Sequence, residues 1–237
     1  ALQQAGDHGG GIVFVPRGTY KITGKLFVPA KTILRGQSRE SVWIYVPKEI
    51  APITSVLAGN GNFAVEDLSI VSQTARRMVV SPDVPGIYIS TWGVPREDHV
   101  RNVRLTRLRL HHLIFAHRVQ GDDPRRMIES GPATVVLVGP DMVIEDCQIV
   151  SSGMPIDLAH GRHTRLERNN FGIGRNGWYA LWHTEEAVIE GNEIQGRDME
   201  ANYGGAQGMA YNLYFAKNHW HDGYGADREA LTFDTPY

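Results

Sequence analysis

Acidic side chains in the second half of the chain could supply the two carboxyl groups that hydrolyse a glycosidic bond. In such sites one carboxyl group protonates the leaving oxygen and the other acts as base or nucleophile, roughly 5 to 9.5 Å away. Asp157 stands between Ile156 and Leu158 on a predicted strand, so its side chain must point outward or be costly to bury. The predicted catalytic carboxylates are Asp157, Glu229 and Asp234.

Each of these carboxylates also has a simpler interpretation. An aspartate on a strand is often an ordinary solvated residue, which is the alternative for Asp157. The stretch 222–234 contains several acidic residues around Arg228, so salt bridging with that arginine is the alternative there.

Histidines offer a second chemistry, β-elimination. This reaction needs a base to remove the proton beside a uronate carboxylate and a cation to neutralise that carboxylate. The chain has ten histidines, and five of them lie between positions 160 and 221. We predict His160 and His183 as catalytic residues, and His221 and Arg228 as substrate-binding residues. For any single histidine, a structural role is the alternative.

The sequence does not predict a metal site or a cofactor. His219 and His221, followed by Asp222, are two potential ligands separated by one residue. Nothing else in the sequence completes a ligand set. We therefore predict no metal ion and no cofactor.

Aromatic residues are frequent in the same part of the chain. Aromatic faces stack on sugar rings and combine apolar contact with a polar edge. We predict Trp182 as an exposed sugar platform, with Tyr214 and Asn212 as further substrate-binding residues. Packing of Trp182 under a neighbouring loop is the alternative. The aromatic residues of this part are Trp178, Tyr179, Trp182, Tyr203, Tyr211, Tyr214, Trp220 and Tyr224.

A six-residue phrase with apolar first and last positions organises the chain. Its last positions are separated by 40, 39, 22, 23 and 26 residues. A period near 22 is too short for most helical repeats, so the repeat predicts a solenoid built from strands. The six copies cover 65–70, 105–110, 144–149, 166–171, 189–194 and 215–220.

The fourth position of the phrase predicts a buried column with an asparagine ladder in the C-terminal coils. An asparagine at the same bend of each coil can accept left-handed backbone geometry and hydrogen-bond to its neighbours above and below. Independent turn asparagines are the alternative. The fourth positions are Leu68, Leu108, Cys147, Asn169, Asn192 and Asn218.

Between the hexads lies a second strand-like phrase in which apolar residues mostly alternate. Alternation puts one set of side chains into the core and the other onto an outer sheet, which we predict as the groove. His160 and His183 would then stack at the strand ends. The phrase recurs at 86–90, 134–138, 155–159, 177–182, 208–211 and 230–234. The predicted outer columns are Asp157, Ala180, Ala210 and Thr232, and then Ala159, Trp182, Asn212 and Asp234. Residues 73–85 and 121–131 are predicted as loops that form walls beside this surface.

The N-terminal segment carries a family resemblance. Residues 9–36 contain a glycine-rich turn, a strand ending in Val15-Pro16, a corner at Gly18-Thr19-Tyr20 and a strand ending in Leu34-Arg35-Gly36. The chain resembles pectate-lyase-like proteins here, and its later hexads resemble their coils. The resemblance implies an all-β right-handed parallel β-helix of three-stranded coils beneath a capping helix.

This resemblance does not select an activity. The superfamily includes polysaccharide lyases, glycoside hydrolases, epimerases and phage tailspikes. The sequence lacks the Asp, Asp-Asp and His set of polygalacturonases. It also lacks the grouped calcium aspartates of classical pectate lyases.

Composition narrows the choice of partners. The chain has 237 residues, of which 42% are hydrophobic, and its net charge is -2. There is no global positive field of the kind that binds nucleic acid or anionic lipid, and no stretch is apolar enough to cross a membrane. The lone Cys147 allows no internal disulfide. We predict a polysaccharide or oligosaccharide partner, with no nucleic acid and no membrane.

These observations lead to one functional hypothesis and two alternatives. We predict an extracellular or periplasmic enzyme that cleaves a polysaccharide in the groove, by glycoside hydrolysis. The alternatives are a polysaccharide lyase acting by β-elimination on a uronate-containing glycan, and a non-catalytic tailspike or adhesin. We expect a single domain over 1–237, truncated at one or both ends. Its parts are a cap with first coils at 1–36, coils with long loops at 37–140, and compact coils with the candidate site at 141–237.

Overall fold

Three parallel sheets wind around one long core. The computed structural model describes residues 1–88, 91, 94–112, 133–151, 154–172, 179–195, 206–221 and 231–233. Within these ranges each sheet has eight strands, and every third strand along the chain joins the same sheet. Each coil therefore contributes one strand to each sheet. This is the solenoid of strands that the repeat predicted, and the three-stranded right-handed parallel β-helix that the family resemblance implied.

The strands are numbered along the chain. The first sheet consists of β1 (Gly11–Val15), β4 (Thr32–Gly36), β7 (Phe63–Glu66), β10 (Val103–Thr106), β13 (Met142–Glu145), β16 (Arg165–Glu167), β19 (Val188–Glu190) and β22 (Tyr214–Ala216). The second sheet consists of β2 (Gly18–Lys21), β5 (Val42–Val46), β8 (Ser69–Ser72), β11 (Arg109–His112), β14 (Gln148–Ser151), β17 (Asn170–Gly172), β20 (Glu193–Gln195) and β23 (His219–His221). The third sheet consists of β3 (Leu26–Phe27), β6 (Leu57–Ala58), β9 (Val79–Ser81), β12 (Ala133–Val138), β15 (Met154–Ala159), β18 (Tyr179–Glu185), β21 (Ala206–Tyr211) and β24 (Leu231–Phe233).

A short helix, α1 (Leu2–Asp7), lies against β1 and β4 at the N-terminal end of the stack. Among the described residues, no helix is long and apolar enough to span a bilayer.

The hexad forms the bend between the first and second sheets, and its stacking is confirmed. Its first positions pair in register from β7 to β22, and its last positions pair from β8 to β23. The apolar ends of the hexads are buried because both point into the coil, where Ile70, Leu110 and Ile149 are fully inaccessible. Equivalent apolar side chains of successive coils therefore stack on one another and form a continuous core.

Hydrogen bonds connect the three asparagines at the fourth hexad position. The Nδ2 of Asn169 donates to the Oδ1 of Asn192 at 3.0 Å, and the Nδ2 of Asn192 donates to the Oδ1 of Asn218 at 2.8 Å. The Asn169 Oδ1 accepts from the backbone N–H of Cys147, the preceding member of the column, at 3.0 Å. The Cys147 thiol is buried, and this burial raises its pKa to about 12.

The prediction that these asparagines adopt left-handed geometry was wrong. The left-handed residue is the one before them, at the third hexad position, where φ is 54° for Arg168 and 55° for Lys217. The third-position side chains point outward and form ion pairs, such as the two-bond contact of Arg168 with Asp146 at 2.8 and 2.9 Å. Because the third position adopts the left-handed conformation, the side chain of the asparagine that follows it can point into the coil.

The outer face of the third sheet is partly covered by the segment that follows β9. The strand predicted at 86–90 was wrong, because 85–88 form a 3₁₀ helix and the third-sheet strand of this coil is β9. That strand also occupies part of the loop predicted at 73–85. Apolar side chains of the covering segment, Val84, Ile87 and Val94, pack on the outer side chains of β9, β12 and β15. The predicted wall at 121–131 lies outside the described residues.

Candidate functional site

Three imidazole rings stack where strands of the third sheet end. His160 follows β15, and His183 lies in β18 directly after Trp182, the register partner of Ala159. Their ring centroids are 5.1 Å apart and the ring planes differ by 9°. The predicted stacking of these two histidines is therefore observed. On its other side, His160 stacks on His99 at 4.4 Å.

A glycine explains how His99 reaches this stack. Gly139 occupies the position equivalent to His160 one coil earlier, after β12, and has a φ of 125°. A Cβ built at Gly139 would lie 1.9 Å from the carbonyl oxygen of Val100, so only glycine allows this close approach. The backbone of 99–101 passes over that glycine, and His99 takes the place that a side chain from position 139 would fill.

The stack borders a cavity of about 970 Å³ at the corner between the third and first sheets. Three arginines line it together with the two carboxylates Asp141 and Glu185. Two of the arginines, Arg96 and Arg101, are exposed and form no ion pair with any described residue. The cavity therefore offers uncompensated positive charge to an anionic ligand.

Protonation of His160, the central ring of the stack, is disfavoured. Burial lowers the pKa of His160, and the neighbouring His99 and His183 lower it further. The Nε2 of His99 lies 3.1 Å from the carbonyl oxygen of Val94. A carbonyl oxygen only accepts hydrogen bonds, so Nε2 of His99 carries the proton. At neutral pH, His160 is consequently an uncharged imidazole, the form that can accept a proton.

A second group of charged side chains, which includes Asp141, Arg162 and His163, also lines the cavity. The His163 Nε2 lies 2.8 Å from an oxygen of Glu186, and its Nδ1 lies 3.3 Å from one of Asp141. Arg162 donates to both oxygens of Glu186, at 3.1 and 3.4 Å. Asp141, His163 and Glu186 occupy equivalent positions in three successive coils, and these contacts connect them. Asn212 occupies the same position in the next coil.

Asp157 lies on the outer face of the third sheet, as predicted, but it is half-buried. Its neighbours Ile156 and Leu158 point into the core and are inaccessible. The hydroxyl of Thr91, from the covering segment, donates to both carboxylate oxygens at 3.3 and 3.4 Å. Burial raises the pKa of Asp157 from 3.8 to about 6, although Arg77 and Thr91 act in the opposite direction.

This raised pKa makes a prediction about stability. Between about pH 4 and about pH 6, folded Asp157 holds a proton that the unfolded chain releases, so the folded state loses stability as pH rises through this window. An asparagine side chain at this position would not titrate. The difference in free energy of unfolding between the Asp157→Asn variant and the wild type should therefore change with pH. We expect it to shift in favour of the variant by about 1 to 3 kcal/mol from about pH 4 to about pH 8.

Denaturant unfolding at the two pH values measures this gain. The control is Asp7→Asn on α1, where the side chain is exposed and no buried charge is removed. Equal gains for both variants would contradict the burial of a costly charge at Asp157.

Other predicted site residues lie elsewhere. The column of Asp157 continues through Ala180, Gln207 and Thr232, so the prediction of Ala210 was wrong. Ala159 and Trp182 pair as predicted, but Met209 follows them instead of Asn212. Gln207 and Met209 lie three residues before the predicted Ala210 and Asn212, and the pairing of β18 with β21 also shifts by one residue between Trp182 and Thr184.

Two predicted substrate-binding residues lie away from the third sheet. Tyr214 is 52% exposed and lies on the first sheet, in β22. His221 ends β23 in the second sheet. Their roles in substrate binding stay predictions. Arg228, Glu229 and Asp234 lie outside the described residues, so their roles stay predictions, as do the catalytic roles of Asp157, His160 and His183.

Sequence reasoning missed several residues of this cavity. His99, Arg96 and Arg101 belong to a segment with no strand pattern, so no column could be assigned to them. Arg162 and His163 carried a usable signal, because they follow His160 at the turn that precedes the next hexad. In the part of the chain that the structure describes, no three acidic, histidine or cysteine side chains form a group that could hold a metal ion.

Comparison with known proteins gives structural matches alone. No family model matches the sequence, and no curated protein matches it significantly. The A-module of mannuronan C-5 epimerase AlgE6 from Azotobacter vinelandii has a TM-score of 0.63 at 14% identity, over 92% of this chain and 63% of that chain. The catalytic domain of a GH87 α-1,3-glucanase has a TM-score of 0.56 at 12% identity, over 88% of this chain and 34% of that chain.

These likenesses show the fold, a parallel β-helix. By their names, both solved proteins act on polysaccharides. The chain spans less than two thirds of the length of either one.

Proposed function

We propose that this protein is a carbohydrate-active enzyme that processes an acidic polysaccharide in the histidine-lined cavity. The reaction begins when a neutral imidazole removes the proton beside the carboxylate of a uronate residue. In β-elimination, the resulting electron pair forms a carbon–carbon double bond as the bond to the glycosidic oxygen breaks, and that oxygen takes up a proton.

The observation that carries this proposal is the imidazole stack with its half-buried central ring. A general base must be unprotonated at the working pH and must have an open edge beside the substrate. Burial and two neighbouring rings lower the pKa of His160, and the ring borders the cavity. His183, which is exposed at the end of the stack, is the second candidate for this role.

The arginines support an acidic substrate. Proton removal beside a carboxylate places negative charge on that group, and positioned cations stabilise such charge. Arg96 and Arg101 line the cavity without a carboxylate partner among the described residues. The resemblance to a mannuronan C-5 epimerase fold is consistent with this proposal, since epimerisation at C-5 of a uronate starts with loss of the same proton.

Glycoside hydrolysis is the second candidate, and Asp157 favours it. A carboxyl group with a pKa near 6 can act as general acid in mildly acidic solution. This chemistry needs a second carboxylate roughly 5 to 9.5 Å away, for which Glu229 and Asp234 stay the predicted partners.

Product analysis in deuterium oxide distinguishes the chemistries. We would incubate the protein separately with polymannuronate, polygalacturonate and a neutral α-1,3-glucan. Elimination yields ultraviolet-absorbing unsaturated ends with new reducing ends, and this is the expected result on at least one polyuronate. Solvent deuterium on C-5 without chain cleavage would indicate epimerisation by the same base.

Two results would contradict the elimination proposal. Reducing ends without ultraviolet absorbance would favour hydrolysis and direct attention to Asp157. Binding without any product would favour the non-catalytic alternative.

A further inference from the structure

The outer face of the second sheet carries a row of side chains that the cavity chemistry does not use. One residue from each of five successive coils lies in this row, because the parallel strands pair in register. The row runs through Trp43, Ser69, Arg109, Gln148 and Asn170. A parallel row starting at Tyr45 passes through Val71, His111 and Val150.

Trp43 lies along this face instead of standing away from it. Its ring contacts groups that belong to a strand two coils away: the Arg109 guanidinium carbon is 5.7 Å from the ring centroid, and the His111 ring is 6.3 Å away, edge-on. To reach them the indole must lean over Ser69, which is fully buried. Part of the Trp43 side chain still faces solvent, since Trp43 itself is only half-buried.

The indole is held in this orientation. Its Nε1 donates to the carbonyl oxygen of Glu40 at 3.3 Å, and Arg109 is in turn held by Gln148, whose Oε1 accepts from the Arg109 Nε at 2.9 Å. A fixed aromatic face loses little conformational entropy when a sugar ring stacks on it.

Polar groups continue the row beyond the indole. Gln148 uses its oxygen for Arg109, and among the described residues its Nε2 has no hydrogen-bond partner. Asn170 uses its Nδ2 for Glu193 at 2.9 Å, and its Oδ1 has no partner in the described ranges. A donor and an acceptor therefore face solvent on neighbouring strands, roughly 4.8 Å apart, which suits the hydroxyl groups of a sugar.

A cavity of about 360 Å³ adjoins Gln148 and Asn170 at the corner with the first sheet. Its two arginines are already neutralised: Arg168 forms ion pairs with Asp146 and Glu167 at 2.8 and 2.9 Å, and Arg39 with Glu40 at 3.1 Å. The row itself holds one cation, Arg109, and one carboxylate, Glu193 next to Asn170, so these two formal charges cancel, whereas no described carboxylate pairs with Arg96 or Arg101 in the histidine cavity.

We propose that the outer face of the second sheet is a separate binding surface for an uncharged segment of polysaccharide. Trp43 stacks on one sugar ring, and Gln148 and Asn170 hydrogen-bond to hydroxyl groups further along the chain. The surface holds the glycan and performs no chemistry. The inference does not rest on the proposed catalytic function.

Affinity electrophoresis of the full chain tests this surface. Native gels would contain hydroxyethyl cellulose, galactomannan, mixed-linkage β-glucan or polygalacturonate, and Kd would be obtained from retardation. We expect at least one neutral glycan to retard the wild type. Trp43→Ala is expected to raise Kd at least tenfold and Gln148→Ala several-fold. Phe14→Ala, which removes an exposed aromatic ring from the first sheet, is the matched control and should leave Kd unchanged.

The same gels separate this surface from the histidine cavity. The variant His160→Asn should bind neutral glycans like the wild type. Binding that is lost in His160→Asn but kept in both Trp43→Ala and Gln148→Ala would overturn the proposal, as would a wild type that none of the neutral glycans retards. Circular dichroism of each variant shows whether the fold is intact, and Gln148→Ala removes no side chain from the core.

Discussion

Replacement of His160 by asparagine is expected to lower turnover of the polyuronate substrate about 10²- to 10⁴-fold, the usual contribution of a general base. Asparagine is chosen because His160 has a φ of 53°, a left-handed geometry that asparagine tolerates better than alanine. The amide cannot accept the proton at this position. Initial rates of unsaturated-product formation at saturating polyuronate measure the loss.

The control for this variant is His219→Asn on the second sheet, where the histidine is exposed and far from the cavity in the coil. Turnover of the control should match that of the wild type. His99→Ala should cause a smaller loss, because His99 positions the central ring without contacting the reacting atoms. A His160→Asn variant that retains more than about a tenth of wild-type turnover would rule out His160 as the principal base.

The largest expected loss of stability comes from the asparagine column. Asn192→Ala removes the acceptor of two donors of Asn169, at 2.9 and 3.0 Å, and a donor to the carbonyl oxygen of Leu166 at 2.9 Å. Asn192 is 1% exposed, so water cannot replace these partners. We expect the free energy of unfolding to fall by about 2 to 4 kcal/mol, measured by denaturant unfolding.

A second substitution separates hydrogen bonding from packing. Asn192→Leu refills the volume, as Leu108 does in an earlier coil of the same column, but leaves the same groups unpaired. It should therefore be destabilised as well. Asn170→Ala, which removes one surface hydrogen bond, should cost less than about 1 kcal/mol. If Asn192→Leu were as stable as the wild type, these hydrogen bonds would make no net contribution to the free energy of unfolding.

The sequence was informative wherever side chains repeat at one period. The apolar ends of the hexads predicted which residues stack, because a residue that enters the core in one coil must meet its counterpart in the next. The stacking of His160 on His183 followed from the same counting. Counting failed in the next coil, where β21 pairs irregularly with β18 and places Gln207 and Met209 where Ala210 and Asn212 were predicted.

Features that depend on irregular segments could not be predicted in this way. Residues 86–90 have the alternating apolar pattern of a strand, yet 85–88 form a 3₁₀ helix because β9 already fills the third-sheet position. His99 enters the candidate site only because Gly139 lacks a side chain one coil away. Such an arrangement joins residues that are distant in sequence and follow no common period.

The in-register pairing of neighbouring coils has a consequence for how such a protein changes length. Each coil contacts the one below and the one above, so a complete turn could be duplicated or deleted while both neighbours keep their partners. A duplicated turn carrying the His160 position would add one more ring to the imidazole stack and extend the groove by roughly 4.8 Å. A single inserted residue within a strand would instead exchange its inward and outward faces. Variation in this architecture is therefore modular, in steps of one whole turn.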